Sequence, residues 1–129
     1  MGGEGEERLV EAAARYRGNA VSKRSGFSVG AAIEDEAGKI WGGCNVENST
    51  YGLTVCAERV AIWKALSEGV RKFRAVAVVT GAEEPTPPCG ACRQILWEFA
   101  GDVPIVMATT TGKKKRFHLR ELFPEPFDF

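Results

Sequence analysis

Hydrophobic and polar positions change period several times along the chain, and each change predicts an element. From Glu6 to Arg17, Leu9, Ala12, Ala13 and Tyr16 recur at three- and four-residue intervals among charges, the pattern of an amphipathic helix, which Gly18-Asn19 ends. Phe27 to Ile33 is a strand built largely of small residues, so a helix or ligand should pack closely on it. Glu34 to Gly38 is a turn, and Lys39 to Cys44 returns as the second arm of a hairpin. Cys56 to Ser67 is a helix that is apolar on almost every side, so it belongs in the interior or at a subunit interface, with Gly69 as its C-cap. Ala75 to Thr80 is a continuous apolar run, the mark of a strand buried on both faces. Gly90 to Phe99 reads as a third helix, Pro104 to Ala108 as another buried strand, and Arg116 to Leu119 as a short last strand.

Strand–helix–strand units imply parallel pairing and right-handed crossovers. The last two strands are joined only by Thr109 to Lys115, too short for a crossover, so that pair should be antiparallel. The expected fold is α/β: a three-layer α/β/α sandwich around a mixed five-stranded sheet, formed by residues 1–129 as a single domain with residues 1–5 outside its ordered part.

Composition narrows the function classes. Lys plus Arg and Asp plus Glu both number 17, and this neutral balance argues against a nucleic-acid partner, where a basic excess supplies the affinity. No apolar run approaches a bilayer-spanning length, and the acidic, glycine-rich start is unlike a secretory leader, so a cytoplasmic protein without a membrane partner is expected. In a reducing compartment, clustered cysteines point to metal binding or catalysis rather than disulfides.

Pro88-Cys89-Gly90-Ala91-Cys92 sets two thiols three positions apart at a helix start, a spacing that lets both sulfurs reach one tetrahedral ion. A CxxC alone is equally compatible with a redox or structural role. Cys56 adds a third thiol at another helix start, where the helix dipole favours thiolate, and Arg59 nearby can offset the −1 charge of three thiolates on Zn2+. Cys44 and His118 lie outside ligand spacing, which leaves a fourth position for water, as in catalytic zinc sites. Glu58 could simply complement its helix dipole, but a Glu just after the first ligand followed by PCxxC is also the signature of zinc deaminases, where the Glu is the general acid/base. The expected cofactor is one Zn2+ per chain, held by Cys56, Cys89 and Cys92, with Glu58 carrying protons. A structural zinc site would want a fourth protein ligand and has no use for Glu58.

In these and further motifs the chain resembles the small homotetrameric cytidine deaminases from about Phe27 to Phe127. The resemblance rests on Phe27-Ser28-Val29-Gly30-Ala31-Ala32, Gly43-Cys44-Asn45-Val46-Glu47-Asn48, Thr54 to Arg59, Pro88 to Gln94, and the closing Glu121 to Phe127. It implies that Asn45 and Glu47 hydrogen-bond the ribose 3′-hydroxyl, that Phe27 packs on the base, and that Ala57 offers backbone groups to the base edge. It also implies that Arg59 hydrogen-bonds the ligand thiolates and that Phe127 reaches into a neighbouring subunit's site within a homotetramer. The residues themselves say less: Asn45 and Glu47 lie two apart on an extended segment and so point the same way, but a solvated loop would look alike, and either Phe could be core. The chain departs from the family at Lys23-Arg24-Ser25, where Pro-Tyr-Ser is usual. The implied reaction is hydrolytic deamination of cytidine and 2′-deoxycytidine to the uridines and ammonia. The rivals are an aminohydrolase for modified cytidines or a nucleoside-like antibiotic of the blasticidin S type, and a non-catalytic zinc-stabilised binding module.

Overall fold

A computed structural model describes residues 3–127. Helix α1 (Gly3–Arg17) precedes the hairpin of β1 (Val29–Asp35) and β2 (Ile40–Cys44). Then follow α2 (Ala57–Ser67), β3 (Phe73–Thr80), α3 (Gly90–Ala100), β4 (Pro104–Thr109), β5 (Lys114–His118) and α4 (Leu119–Leu122), with a 3-10 turn at Tyr51–Leu53. The five strands form one sheet in the order β2-β1-β3-β4-β5. β3 and β4 run parallel across the α3 crossover, whereas β1–β2, β1–β3 and β4–β5 are antiparallel. The mixed sheet and the antiparallel last pair are therefore as the connection lengths require.

Alternation along the strands builds two cores. Ala31, Ile33, Val76, Val78, Ile105 and Met107 pack with Ala61, Ile62 and Leu96 of α2 and α3 on one face. Ala32, Ala75, Ala77, Val79, Val106 and Ala108 pack under Leu9, Ala12 and Ala13 of α1 on the other. The central strands are buried on both faces, which is why they read as continuous apolar runs. Small residues let the helices sit close, as their concentration in the first strand suggested. A Cβ on Gly30 would stand 1.9 Å from the Ala13 carbonyl oxygen, and one on Gly43 would stand 2.6 Å from the Ala57 carbonyl oxygen and the Ala61 amide.

Several boundaries move, each for a local reason. Residues 3–5, expected outside the ordered fold, form the first turn of α1, which is anchored where Glu6 accepts two-pronged hydrogen bonds from Arg116 of β5 at 2.7–3.0 Å; residues 1–2 lie outside the described residues. The last strand is Lys114–His118 rather than Arg116 to Leu119: Lys114 and Lys115 pair with Ala108 and Met107, and charge is tolerated because β5 is a sheet edge. Leu119 instead begins α4, whose start is closed by the His118 amide donating to the Glu121 carboxylate at 2.8 Å. The first strand begins at Val29, not Phe27, because the Asn45 side chain takes over the edge: its amide donates to the Phe27 carbonyl and its oxygen accepts from the Val29 amide, both at 2.9 Å. β1 runs on to Asp35, where the buried carboxylate accepts from the Ala37 and Lys39 amides and the Trp41 indole and so closes the hairpin.

Candidate functional site

The starts of α2 and α3 meet on the same face of the sheet. Cys56 and Cys89 are the residues that cap these two helices, and Cys92 lies one turn into α3. The Cys89 sulfur accepts from the Cys92 amide at 3.4 Å, so the thiol occupies the place where a serine or aspartate would cap. The sulfurs of Cys56 and Cys89 are 3.7 Å apart, those of Cys89 and Cys92 3.3 Å, and all three lie within 4.8 Å of one another. Tetrahedral zinc with bonds of about 2.3 Å sets its sulfurs about 3.8 Å apart, so the spacing fits one such ion. Among the described residues this is the one group able to hold a metal, and Cys44 and His118 are not part of it.

The electrostatics of the donor set point the same way. Arg59 Nη2 donates to the Cys56 sulfur at 3.3 Å, while its buried Nε has no hydrogen-bond partner. The Cys56 thiol is drawn down to about 5, chiefly by the Cys92 thiol and then by Arg59, whereas the same Cys56 partner and burial drive Cys92 upward. Side chains alone thus set Cys56 and Cys92 against one another as thiolates, and a divalent cation is what would relieve that opposition. Arg93 braces the second helix start: its guanidinium donates to the Pro88 carbonyl at 2.8 Å and to the Leu122 carbonyl at 2.6 Å, which ties the CxxC turn to α4.

Glu58 is 5% exposed in the first turn of α2. Burial pushes its carboxyl up to about 7, with the Cys56 charge adding to the effect, so at neutral pH it can both take and give a proton. It lines a cavity of about 300 Å³ together with Cys56, Ala57 and Cys89. Phe27, Asn45 and Glu47 line the same cavity from the loop before β1 and the segment after β2. Asn45 and Glu47 touch, Nδ2 to Oε2 at 3.3 Å. Phe127 lies outside that lining in its own chain; it is 68% exposed, and its carbonyl accepts from Gln94 at 3.0 Å.

Sequence reasoning passed over several residues here. Ser25 lines the cavity and hydrogen-bonds Glu47, although it appeared only as part of an atypical stretch. Thr80 and Thr86, whose hydroxyls pair at 3.2 Å, also line it, and in the sequence Thr80 is only the last residue of the run that marks a buried strand.

A family model described as the cytidine and deoxycytidylate deaminase zinc-binding region matches residues 4–109. A cytidine deaminase of Sporosarcina psychrophila is 44% identical over 122 residues, spanning 94% of this chain and 90% of that protein. One from Halalkalibacterium halodurans is 42% identical over 120 residues, spanning 92% and 91%. The crystal structure of a cytidine deaminase from Burkholderia pseudomallei superimposes with a TM-score of 0.92 at 40% identity, covering 98% of this chain and 100% of that one.

Proposed function

This chain belongs to the cytidine and deoxycytidylate deaminase family, and from that premise we propose that it hydrolyses cytidine and 2′-deoxycytidine to uridine and 2′-deoxyuridine, releasing ammonia. The observation that carries the reading is that two of three clustered sulfurs and one buried carboxylic acid line the same cavity of about 300 Å³.

Cys56, Cys89 and Cys92 would hold one zinc ion, which when bound would supply the Lewis acidity that makes water a nucleophile near neutral pH. Glu58 accepts a proton from the attacking water and delivers it to N3 of the pyrimidine; it then takes the proton of the new C4 hydroxyl and passes it to the departing amine, leaving the C4 carbonyl and ammonia. Its burial keeps bulk water from competing for that proton. Arg59 offsets the excess negative charge of the thiolates through Cys56. Phe27 packs on the base, Ala57 presents backbone groups to its edge, and Asn45 with Glu47 accepts and orients the sugar 3′-hydroxyl. The Asn45–Glu47 pattern favours a nucleoside over a blasticidin-type antibiotic, because a carboxylate there calls for a hydroxyl donor on the ligand.

Residues 1–129 act as one deaminase domain in the cytosol; no helix among the described residues is long and apolar enough to cross a membrane. We also assign a homotetramer, in which Phe127 of one subunit completes the site of another. Tyr51, Leu53 and Phe127 are 75%, 72% and 68% exposed, and burial against further copies of the chain would account for such large apolar side chains on the surface. Sedimentation at micromolar concentration should give a tetramer, and a monomer would contradict the shared site. Ammonia release should be followed over cytidine, 2′-deoxycytidine, cytosine, blasticidin S and adenosine. Turnover of the two cytidines supports the assignment, while turnover of blasticidin S alone would replace it with the rival reading.

A further inference from the structure

Glu47 is held by four hydrogen bonds, three of them from a loop more than twenty residues away in sequence. The amides of Arg24 and Ser25 donate to Oε1 at 3.2 and 3.0 Å. The Ser25 hydroxyl donates to Oε2 at 2.5 Å, and Asn45 Nδ2 reaches the same oxygen at 3.3 Å. The Ser25 oxygen in turn accepts from the Phe27 amide at 3.0 Å, which fixes its rotamer and leaves its hydrogen aimed at Glu47. Asn45 completes the circuit by donating to the Phe27 carbonyl at 2.9 Å. The amide and carbonyl of Phe27 are thus both tied, through Ser25 and Asn45, to one carboxylate.

Such a circuit has a consequence for recognition. A glutamate has three rotatable side-chain bonds, and a partly exposed one samples several rotamers that binding must then freeze. The backbone amides fix Oε1, but only Ser25 and the longer Asn45 contact restrain Oε2. Hydrogen bonds, with the Ser25 hydroxyl foremost, also hold the Glu47 carboxyl below the usual carboxylate range. An ionised carboxylate is purely an acceptor, so it favours a ligand that brings a hydroxyl. Preorganising it improves binding without touching the bond that breaks.

We propose that Ser25 is a positioning residue that aims Glu47 at the sugar and so sets the preference for nucleosides bearing a 3′-hydroxyl. The proposal rests on the assignment of Glu47 to the sugar and adds the group that makes this residue selective.

The test compares 2′-deoxycytidine with 2′,3′-dideoxycytidine, which differ only in the 3′-hydroxyl, in the wild-type enzyme and in Ser25→Ala, Ser25→Thr and Glu47→Ala. In Ser25→Ala, KM for 2′-deoxycytidine should rise about tenfold more than KM for the dideoxy substrate, which shares only the weaker effect through Phe27, with kcat within about twofold, so that the ratio of kcat/KM values falls about tenfold. Ser25→Thr, which keeps the hydroxyl, should restore most of that ratio. A wild-type ratio in Ser25→Ala overturns the proposal, as does an equal loss on both substrates, which would signify general loop damage. Glu47→Ala separates the two levels of inference. If it abolishes the preference while Ser25→Ala leaves it intact, only the role of Ser25 fails. If it retains the preference, the sugar assignment of Glu47 itself fails.

Discussion

Gly43→Ala should damage catalysis from a position that touches neither metal nor substrate. A Cβ there would stand 2.6 Å from the Ala57 carbonyl oxygen and the Ala61 amide nitrogen, and 3.0 Å from Val60 Cβ. The two nearest atoms are helix backbone, so no side chain can swing aside. Ordinary contact begins near 3.4 Å, so β2 and the start of α2 must part by about 0.8 Å. That movement falls across the cavity: Asn45 and Glu47 continue from β2, whereas Cys56, Ala57 and Glu58 begin α2. Overpacking of this kind destabilises by about 1–3 kcal/mol, and displacing reacting groups by about 1 Å lowers rate on the order of 10²-fold. Urea unfolding and the decrease in cytidine absorbance on deamination measure the two effects on one preparation. Gly5→Ala, in the first turn of α1, is the control, since its Cβ would meet nothing within 4 Å. Wild-type stability and kcat/KM in Gly43→Ala would refute the link between close helix packing and site geometry.

Removing zinc with a strong chelator should abolish turnover and lower the thermal midpoint, and one equivalent of zinc should restore both; full activity below about 0.1 zinc per chain would contradict the three-thiolate site. Cys44→Ser should retain about one zinc per chain and near wild-type turnover, because Cys44 lies outside the sulfur cluster; metal analysis decides it. Glu6→Gln probes the pin between α1 and β5. Hydrogen bonding to Arg116 holds the folded Glu6 carboxyl below its ordinary 4.5, so its stabilisation is present above about pH 4.5 and is lost as pH falls through the folded value. The Glu6 side chain is 8% exposed because its partners cover it, while that of Arg116 is 61% exposed, so the effect should be modest and weaken in salt. Urea midpoints of the two proteins should therefore differ most at neutral pH and converge in acid, and a gap that persists in acid would count against the ion pair.

The parts of the fold legible in sequence are those with a period or a connection length behind them. Leu9, Ala12, Ala13 and Tyr16 mark α1, and the short link after β4 forces an antiparallel final pair. The sulfur cluster is legible because Cys89 and Cys92 are local in sequence and Cys56 stands at a recognisable helix start. The last turn α4 has only four residues, too few to show a period, and it is held by a cap instead. The start of β1 is not legible because Asn45, sixteen residues on from Val29, supplies side-chain hydrogen bonds where a strand would use backbone. Ser25 was missed for the same physical reason: its meaning lies in a contact to Glu47 at a separation of 22, and no local pattern encodes it. Arg93 belongs to a recognised block, yet its bond to Leu122 across 29 residues could be seen only in the fold.

Glu58→Gln tests the central claim most directly, since it preserves the volume of a buried side chain while removing its capacity to carry a proton. Zinc content, thermal midpoint and ammonia release from cytidine should be measured on the same sample. The mechanism predicts about one zinc per chain, a folded protein, and turnover lowered by about 10³-fold, within the range expected for a lost general acid/base. Zinc-loaded Glu58→Gln with turnover close to wild type would contradict it.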